Sequence, residues 1–148
     1  YRGPATAWYV IADGKTESGV TIHYIDEGMD TGPIIYQQKI CLTPFDTVNS
    51  LMRKTNEQEA KALMIALSEI QSPDFIPKIQ NEKIASSYPG FRKPKDSQVD
   101  PNTSLNDLYD FIRACDPDKF PAFMIKDGEK VGIKLFRLQK PDTEFDSI

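Results

Sequence analysis

Histidine and cysteine are nearly missing from this chain of 148 residues: His23 is the only imidazole, and Cys41 and Cys115 stand alone with no Cys-x-x-Cys spacing. A zinc site needs several such ligands close together, so no metal is expected, and isolated thiols read as buried free cysteines in a reducing compartment. The cytoplasm is the expected location. Long apolar runs are missing too. Nothing approaches the ~20 apolar residues of a bilayer span, and no charged, apolar, small-residue leader opens the chain, so no membrane is expected as a partner. Positive charge is not in excess either. Net charge is −4, with eight basic against eleven acidic side chains over residues 1–85 and ten against eleven over 86–148. Nucleic-acid affinity rests largely on phosphate neutralisation, so DNA is not an expected partner, and a tRNA-binding half would need a local patch within this balanced total.

What remains, 39% hydrophobic and 27% charged residues, is the composition of a soluble globular protein large enough to bury a core. The most informative stretch runs from Gly19 to Gln37. Two apolar runs, Val20 to Ile25 and Ile34 to Ile40, flank a loop of Asp26, Glu27, Gly28, Met29, Asp30, Thr31, Gly32 and Pro33. This reads as strand, loop, strand, with the strands antiparallel and Val20, Ile22 and Tyr24 on one face. Three carboxylates and two glycines in eight positions exceed what a simple reversal needs, and sites often sit on loops held by strands. Asp and Gly are also the common turn formers, so on spacing alone an ordinary connection is the favoured reading.

Around this unit the chain divides readily. Pro4 suits a first helical position, Asp13-Gly14 suits a stop, and Trp8, Ile11 and Ala12 share a face, so Trp8 is expected in the core. Thr43 to Asp46 open the longest periodic segment, with Asp46 as N-cap. There Val48, Leu51, Met52, Leu63, Leu67 and Ile70 form an apolar stripe, and Glu57 with Lys61 supports the surface. From Ser72 to Pro101 the periodicity fades. Prolines 73, 77, 89, 94 and 101 and Gly90 suggest an extended connector, with a short strand at Ile84-Ala85 and a solvated basic cluster at Arg92 to Lys95. Thr103-Ser104 with Asp107 starts a helix that stops at Asp116-Pro117. Phe120 to Ile125 and Val131 to Leu138 then pair across Asp127-Gly128.

Tyr1-Arg2-Gly3, Gly19-Val20-Thr21-Ile22 and Asp26-Glu27-Gly28-Met29-Asp30-Thr31-Gly32, in that order, resemble signatures of the 10-formyltetrahydrofolate-dependent formyltransferases. The group includes the methionyl-tRNA and nucleotide-sugar enzymes and, more distantly, the glycinamide ribonucleotide one. Fainter echoes follow at Arg92 to Asp96 and Phe111 to Ala114. The resemblance implies an α/β fold. Residues 1–71 would be the second half of a Rossmann-like formyltransferase catalytic domain, 72–101 a linker and 102–148 a small C-terminal α+β domain that helps choose the acceptor. It puts the catalytic carboxylate on Asp30 and lines the pterin pocket with the backbone of Ile25, Asp26, Glu27, Gly28 and Met29, Asp26 and Glu27 capping loop amides. The co-substrate would be 10-formyltetrahydrofolate. The acceptor would be a small-molecule amine, with a nucleotide-linked amino sugar ahead of an aminoacyl-tRNA and glycinamide ribonucleotide third. The family's catalytic Asn and His precede Tyr-Arg-Gly, and His23 cannot be that His by position. It is expected to pack or to face solvent. The chain therefore resembles a C-terminal portion, and the other reading it allows is a catalytically incomplete fragment or interaction module that self-associates or pairs with its missing N-terminal half.

Overall fold

Alternation of apolar and polar residues along two short segments sets up the first layer. In the computed structural model, which describes every residue except 89, 90, 145 and 146, β1 (Glu17–His23) and β2 (Ile34–Cys41) pair antiparallel. Their register runs from Glu17 opposite Cys41 to Ile22 opposite Tyr36, then slips so that His23 meets Ile34. With a period of two, Val20, Ile22, Tyr36 and Ile40 face the core, and Gly19, Thr21, His23 and Gln37 face the other way. That second face carries the candidate site. Cys41 follows the buried Ile40 and is exposed, correcting the expectation of two buried thiols, whereas Cys115 is buried and both are free.

Two helices cover the core face. The short α1 (Thr6–Ala12) sinks Val10 and Ile11 into the cluster formed with Val20, Ile40, Leu42 and Leu51. Its N-cap is Ala5, so Pro4 precedes the helix rather than opening it. Trp8 packs against this core edge-on to Phe111 at 5.5 Å, and its ring also carries the Arg92 guanidinium at 4.0 Å. Arg92 further donates to Ser97 Oγ at 2.8 Å and to the Asp96 carbonyl at 3.1 Å, so this member of the expected solvated cluster fastens the 3-10 turn Pro94–Ser97 to α1.

Helix α2 (Val48–Glu69) begins one residue later than expected, because Thr47 caps it by accepting from Ser50 N at 3.2 Å while the Asp46 side chain is drawn inward. Glu57 pairs with Arg53 at 2.9 Å instead of with Lys61. The buried face also differs from the stripe read by hydropathy. Leu51, Ala62 and Ala66 are buried, whereas Met52, Leu63, Leu67 and Ile70 are 40–51% exposed. Small alanines bring the helix backbone close to the sheet, and the larger side chains are left on the flank.

Residues 72–101 run along the first unit as well as on to the last. Lys78 bridges to Ile34, Ser87 to Arg2 and Gln98 to Phe123, so the short pairings fall there and not at Ile84-Ala85. The expected punctuation at Pro89 and Gly90 lies outside the described residues. The chain ends in α3 (Leu105–Ala114), capped by Ser104 accepting from Asp107 N at 3.1 Å, and a hairpin of β3 (Ala122–Lys126) and β4 (Glu129–Ile133). Asp127 and Gly128 both take positive φ, 52° and 85°, the geometry that a two-residue hairpin turn requires. The second strand stops at Ile133, short of the expected Leu138. A second small core, Val99, Ile112, Cys115 and Ala122, joins this part.

Candidate functional site

The loop between β1 and β2 is built by its own polar side chains. Tyr24 N donates to the Pro33 carbonyl at 3.0 Å and closes the neck. Within the loop Asp26 Oδ1 accepts from Gly28 N at 3.1 Å and from Thr31 Oγ at 2.5 Å. The Thr31 hydroxyl holds the Asp26 carboxyl below the usual carboxylate range. Asp26 is thus an amide cap, bent back onto the loop.

Asp30 occupies the left-handed region, φ 56°, which Asp tolerates better than most residues. Its Oδ2 accepts from Gly3 N at 2.8 Å, and its Oδ1 lies 3.9 Å from His23 Nε2. His23 Nδ1 is 2.7 Å from the Tyr24 carbonyl, a contact that needs a proton on Nδ1 and turns Nε2 toward Asp30. A cavity of about 490 Å³ opens against the second face of the strand pair, lined by Gly3, Thr21, His23, Asp30, Gln37 and Gln80 among others. Asp30, half exposed, looks onto this hollow.

Of the residues singled out from sequence, Asp30 lines the cavity and Ile25, Asp26, Glu27, Gly28 and Met29 do not. They form the outer limb of the loop, with Ile25 95% and Met29 65% exposed. His23, expected to pack or to face solvent, stands beside Asp30. Period-two alternation already placed it on the face away from Val20 and Ile22. Gly3 presents its N–H to Asp30, and it must be glycine because φ is 101° and a Cβ would meet the Tyr88 carbonyl at 2.6 Å. Arg2 is buried and forks onto Glu82 at 2.8 and 2.9 Å, and this guanidinium holds the Glu82 carboxyl below its ordinary range.

Residues 1–67 match the model of a family described as formyl transferase. Along 141 residues, 95% of its length, the chain is 36% identical to methionyl-tRNA formyltransferase of Synechococcus sp. (strain JA-3-3Ab). The chain belongs to the formyltransferase family. It spans 42% of that relative, and 37% of the methionyl-tRNA formyltransferase of Desulforamulus reducens, to which it is 34% identical over 79% of its own length. Its mixed helix-and-strand fold matches formyltransferase structures. A sugar N-formyltransferase from Shewanella sp FDAARGOS_354 aligns with TM-score 0.74 and 25% identity, covering 94% of this chain and 58% of that one. HypX from Aquifex aeolicus, solved in complex with tetrahydrofolic acid, shares the fold at TM-score 0.71 and 21% identity over 90% of this chain and 23% of that one.

The formyltransferase loop is sensitive at Gly32, where a Cβ would collide with the Tyr24 carbonyl and press on His23 Nδ1 at 3.3 Å. Gly32→Ala is expected to push the returning limb away from β1 and to separate Asp30 from Gly3 N. Chemical shifts of Gly3 and Asp30 amides should move well beyond those of α2. Unchanged shifts at Gly3 would show that the close approach is not what sets the loop.

Proposed function

We infer that the intact protein transfers a formyl group from 10-formyltetrahydrofolate to a primary amine, with Asp30 at the reacting centre. The observation that carries this reading is the Asp30 carboxylate, seated on Gly3 N–H beside His23 and turned to a cavity. Attack of an amine on a formyl carbon develops charge on the formyl oxygen and releases a proton from the amine. A carboxylate held by one backbone donor keeps its other oxygen for that proton, and this oxygen lies 3.9 Å from His23 Nε2. Ile25 and Met29 expose apolar side chains at the loop's outer limb, which suits the faces of a planar pterin laid against the peptide groups of Ile25 to Met29. Support for the donor class comes from the tetrahydrofolic acid in the HypX structure.

For the acceptor we place a nucleotide-linked amino sugar first, methionyl-tRNA second and glycinamide ribonucleotide third. The relatives include a sugar N-formyltransferase and a methionyl-tRNA formyltransferase. The acidic balance and the short unit after residue 101 favour the small acceptor. We take residues 1–71 as catalytic, 72–101 as linker and 102–148 as the acceptor-side unit, working in the cytoplasm. Among the described residues no helix is long and apolar enough to cross a membrane. The deciding experiment gives the intact protein 10-formyltetrahydrofolate and each amine in turn and follows release of tetrahydrofolate. Formylation of none of them would end the proposal.

A second reading concerns the 148 residues by themselves. Among the described residues β1 pairs only with β2, and α2 leaves Met52, Leu63, Leu67 and Ile70 exposed along one flank. Such surfaces suit an interaction module that requires further chain for chemistry. We expect the 148-residue chain to release no tetrahydrofolate with any amine and to self-associate. Turnover by this chain alone would overturn the module reading.

A further inference from the structure

The segment after α2 does more than connect, because one of its side chains holds the Asp30 loop. Gln80 Nε2 donates to the carbonyl of Asp30 at 2.9 Å and to that of Gly32 at 2.6 Å. Its Oε1 accepts from Arg2 Nη2 at 2.8 Å and from Arg2 Nε at 3.3 Å. Both N–H bonds of the amide are thus engaged by the loop, and its oxygen by one guanidinium. Arg2 is itself anchored twice. Its side chain forks onto Glu82, and its backbone exchanges bonds with Ser86 and Tyr88 at 2.8 and 3.0 Å.

The two carbonyls that Gln80 gathers bracket Thr31 and follow directly on the residue whose carboxylate faces the cavity. Asp30 stands at φ 56°, a conformation with little intrinsic preference for a non-glycine residue, so its peptide plane needs an external hold. Rotation of that peptide would carry the carboxylate off Gly3 N and away from His23. The Asp26 bonds to Gly28 and Thr31 shape the outer limb but do not reach the Asp30 carbonyl. That contact belongs to Gln80.

We propose that Gln80 is the positioning residue of this site, fixing the Asp30 and Gly32 carbonyls so that the Asp30 carboxylate is aimed into the cavity. The catalytic consequence rests on the formyl-transfer reading, whereas the hold on the loop does not. Gln80→Glu separates the two. A glutamate still accepts from Arg2, so the segment keeps its anchor, but it sets a carboxylate oxygen against two carbonyl oxygens and repels the loop. Glu82→Gln is the companion, since it weakens the Arg2 fork and leaves the Gln80 amide intact.

Hydrogen exchange on the 148-residue chain reads the hold directly. Gln80→Glu should speed exchange about tenfold at the Gly3 amide, which donates to Asp30 Oδ2, and at the Tyr24 amide, which closes the loop's neck, with α2 and β2 otherwise unchanged and Glu82→Gln near the parent. Parent rates at those two amides in Gln80→Glu would overturn the proposal. In the intact protein kcat should fall about a hundredfold while KM for donor and acceptor stays within about twofold, since displacement of a reacting group penalises the chemical step. A parent-level kcat with a loosened loop would overturn the catalytic half. A parent that formylates no amine would defeat the formyl-transfer reading instead, and the exchange rates would then decide the positioning claim alone.

Discussion

Asp30→Asn in the intact protein is expected to lower kcat about a thousandfold and to leave the fold unchanged, the loss typical of removing a proton acceptor from a reacting centre. Asparagine is the informative replacement for two reasons. It tolerates the left-handed backbone that Asp30 adopts at φ 56°, whereas alanine would add strain to the loss of the carboxylate. It also keeps an oxygen for Gly3 N–H, so the bond at 2.8 Å survives and the loop stays in place. What disappears is the negative charge facing His23 Nε2 and the site for the amine proton. KM for either substrate should change little, because the interaction removed is made in the transition state. The measurement is tetrahydrofolate release under saturating donor and acceptor, beside a thermal melt. Undiminished turnover would take Asp30 out of the mechanism.

The part of this site that follows from local pattern was legible, and the part made by distant polar contacts was not. Alternation over Val20 to His23 and Ile34 to Ile40 gives the strand pair, its antiparallel sense and the face on which His23 lies. The same alternation, carried one residue beyond Ile40, would have turned Cys41 outward. Turn chemistry gives Asp127-Gly128, and Ser104 with Asp107 gives the start of α3. The stripe on α2 misled because hydropathy favours Met52, Leu63 and Leu67, whereas close approach to the sheet selects Ala62 and Ala66. Gln80 left no trace, since a single amide binding a loop 48 to 50 residues away has no periodicity to betray it. Asp46 misled in its own way. Its residue type suits a helix cap, and only the structure shows the side chain committed elsewhere.

That commitment makes Asp46 the position where a substitution should cost the most stability. Its carboxylate is 4% exposed and accepts from Thr43 N at 2.7 Å, Ser50 Oγ at 2.7 Å and Lys54 Nζ at 2.7 Å. Its backbone carbonyl accepts from Arg113 Nη1 at 2.6 Å, so α2 and α3 are tied at this one residue. Asp46→Ala leaves Lys54 and the Thr43 amide without this acceptor, leaves Ser50 Oγ only its longer bond to the Thr47 carbonyl at 3.2 Å, and is expected to cost about 3 kcal/mol. For a chain of this size that lowers Tm by about 10 °C. The effect should depend on pH in a defined direction. Burial alone would raise the Asp46 pKa, but Lys54, the Thr43 amide and Ser50 outweigh it and hold the carboxyl below the ordinary range. A depressed folded-state pKa means stability that is fully present above the unfolded value, about 4, and lost as pH falls through the folded one. Urea unfolding at pH 7 and again below pH 3 should therefore show the gap between parent and Asp46→Ala narrowing with acid. A gap equally wide at both would mean that the carboxylate's charge contributes nothing and that only the lost contacts matter.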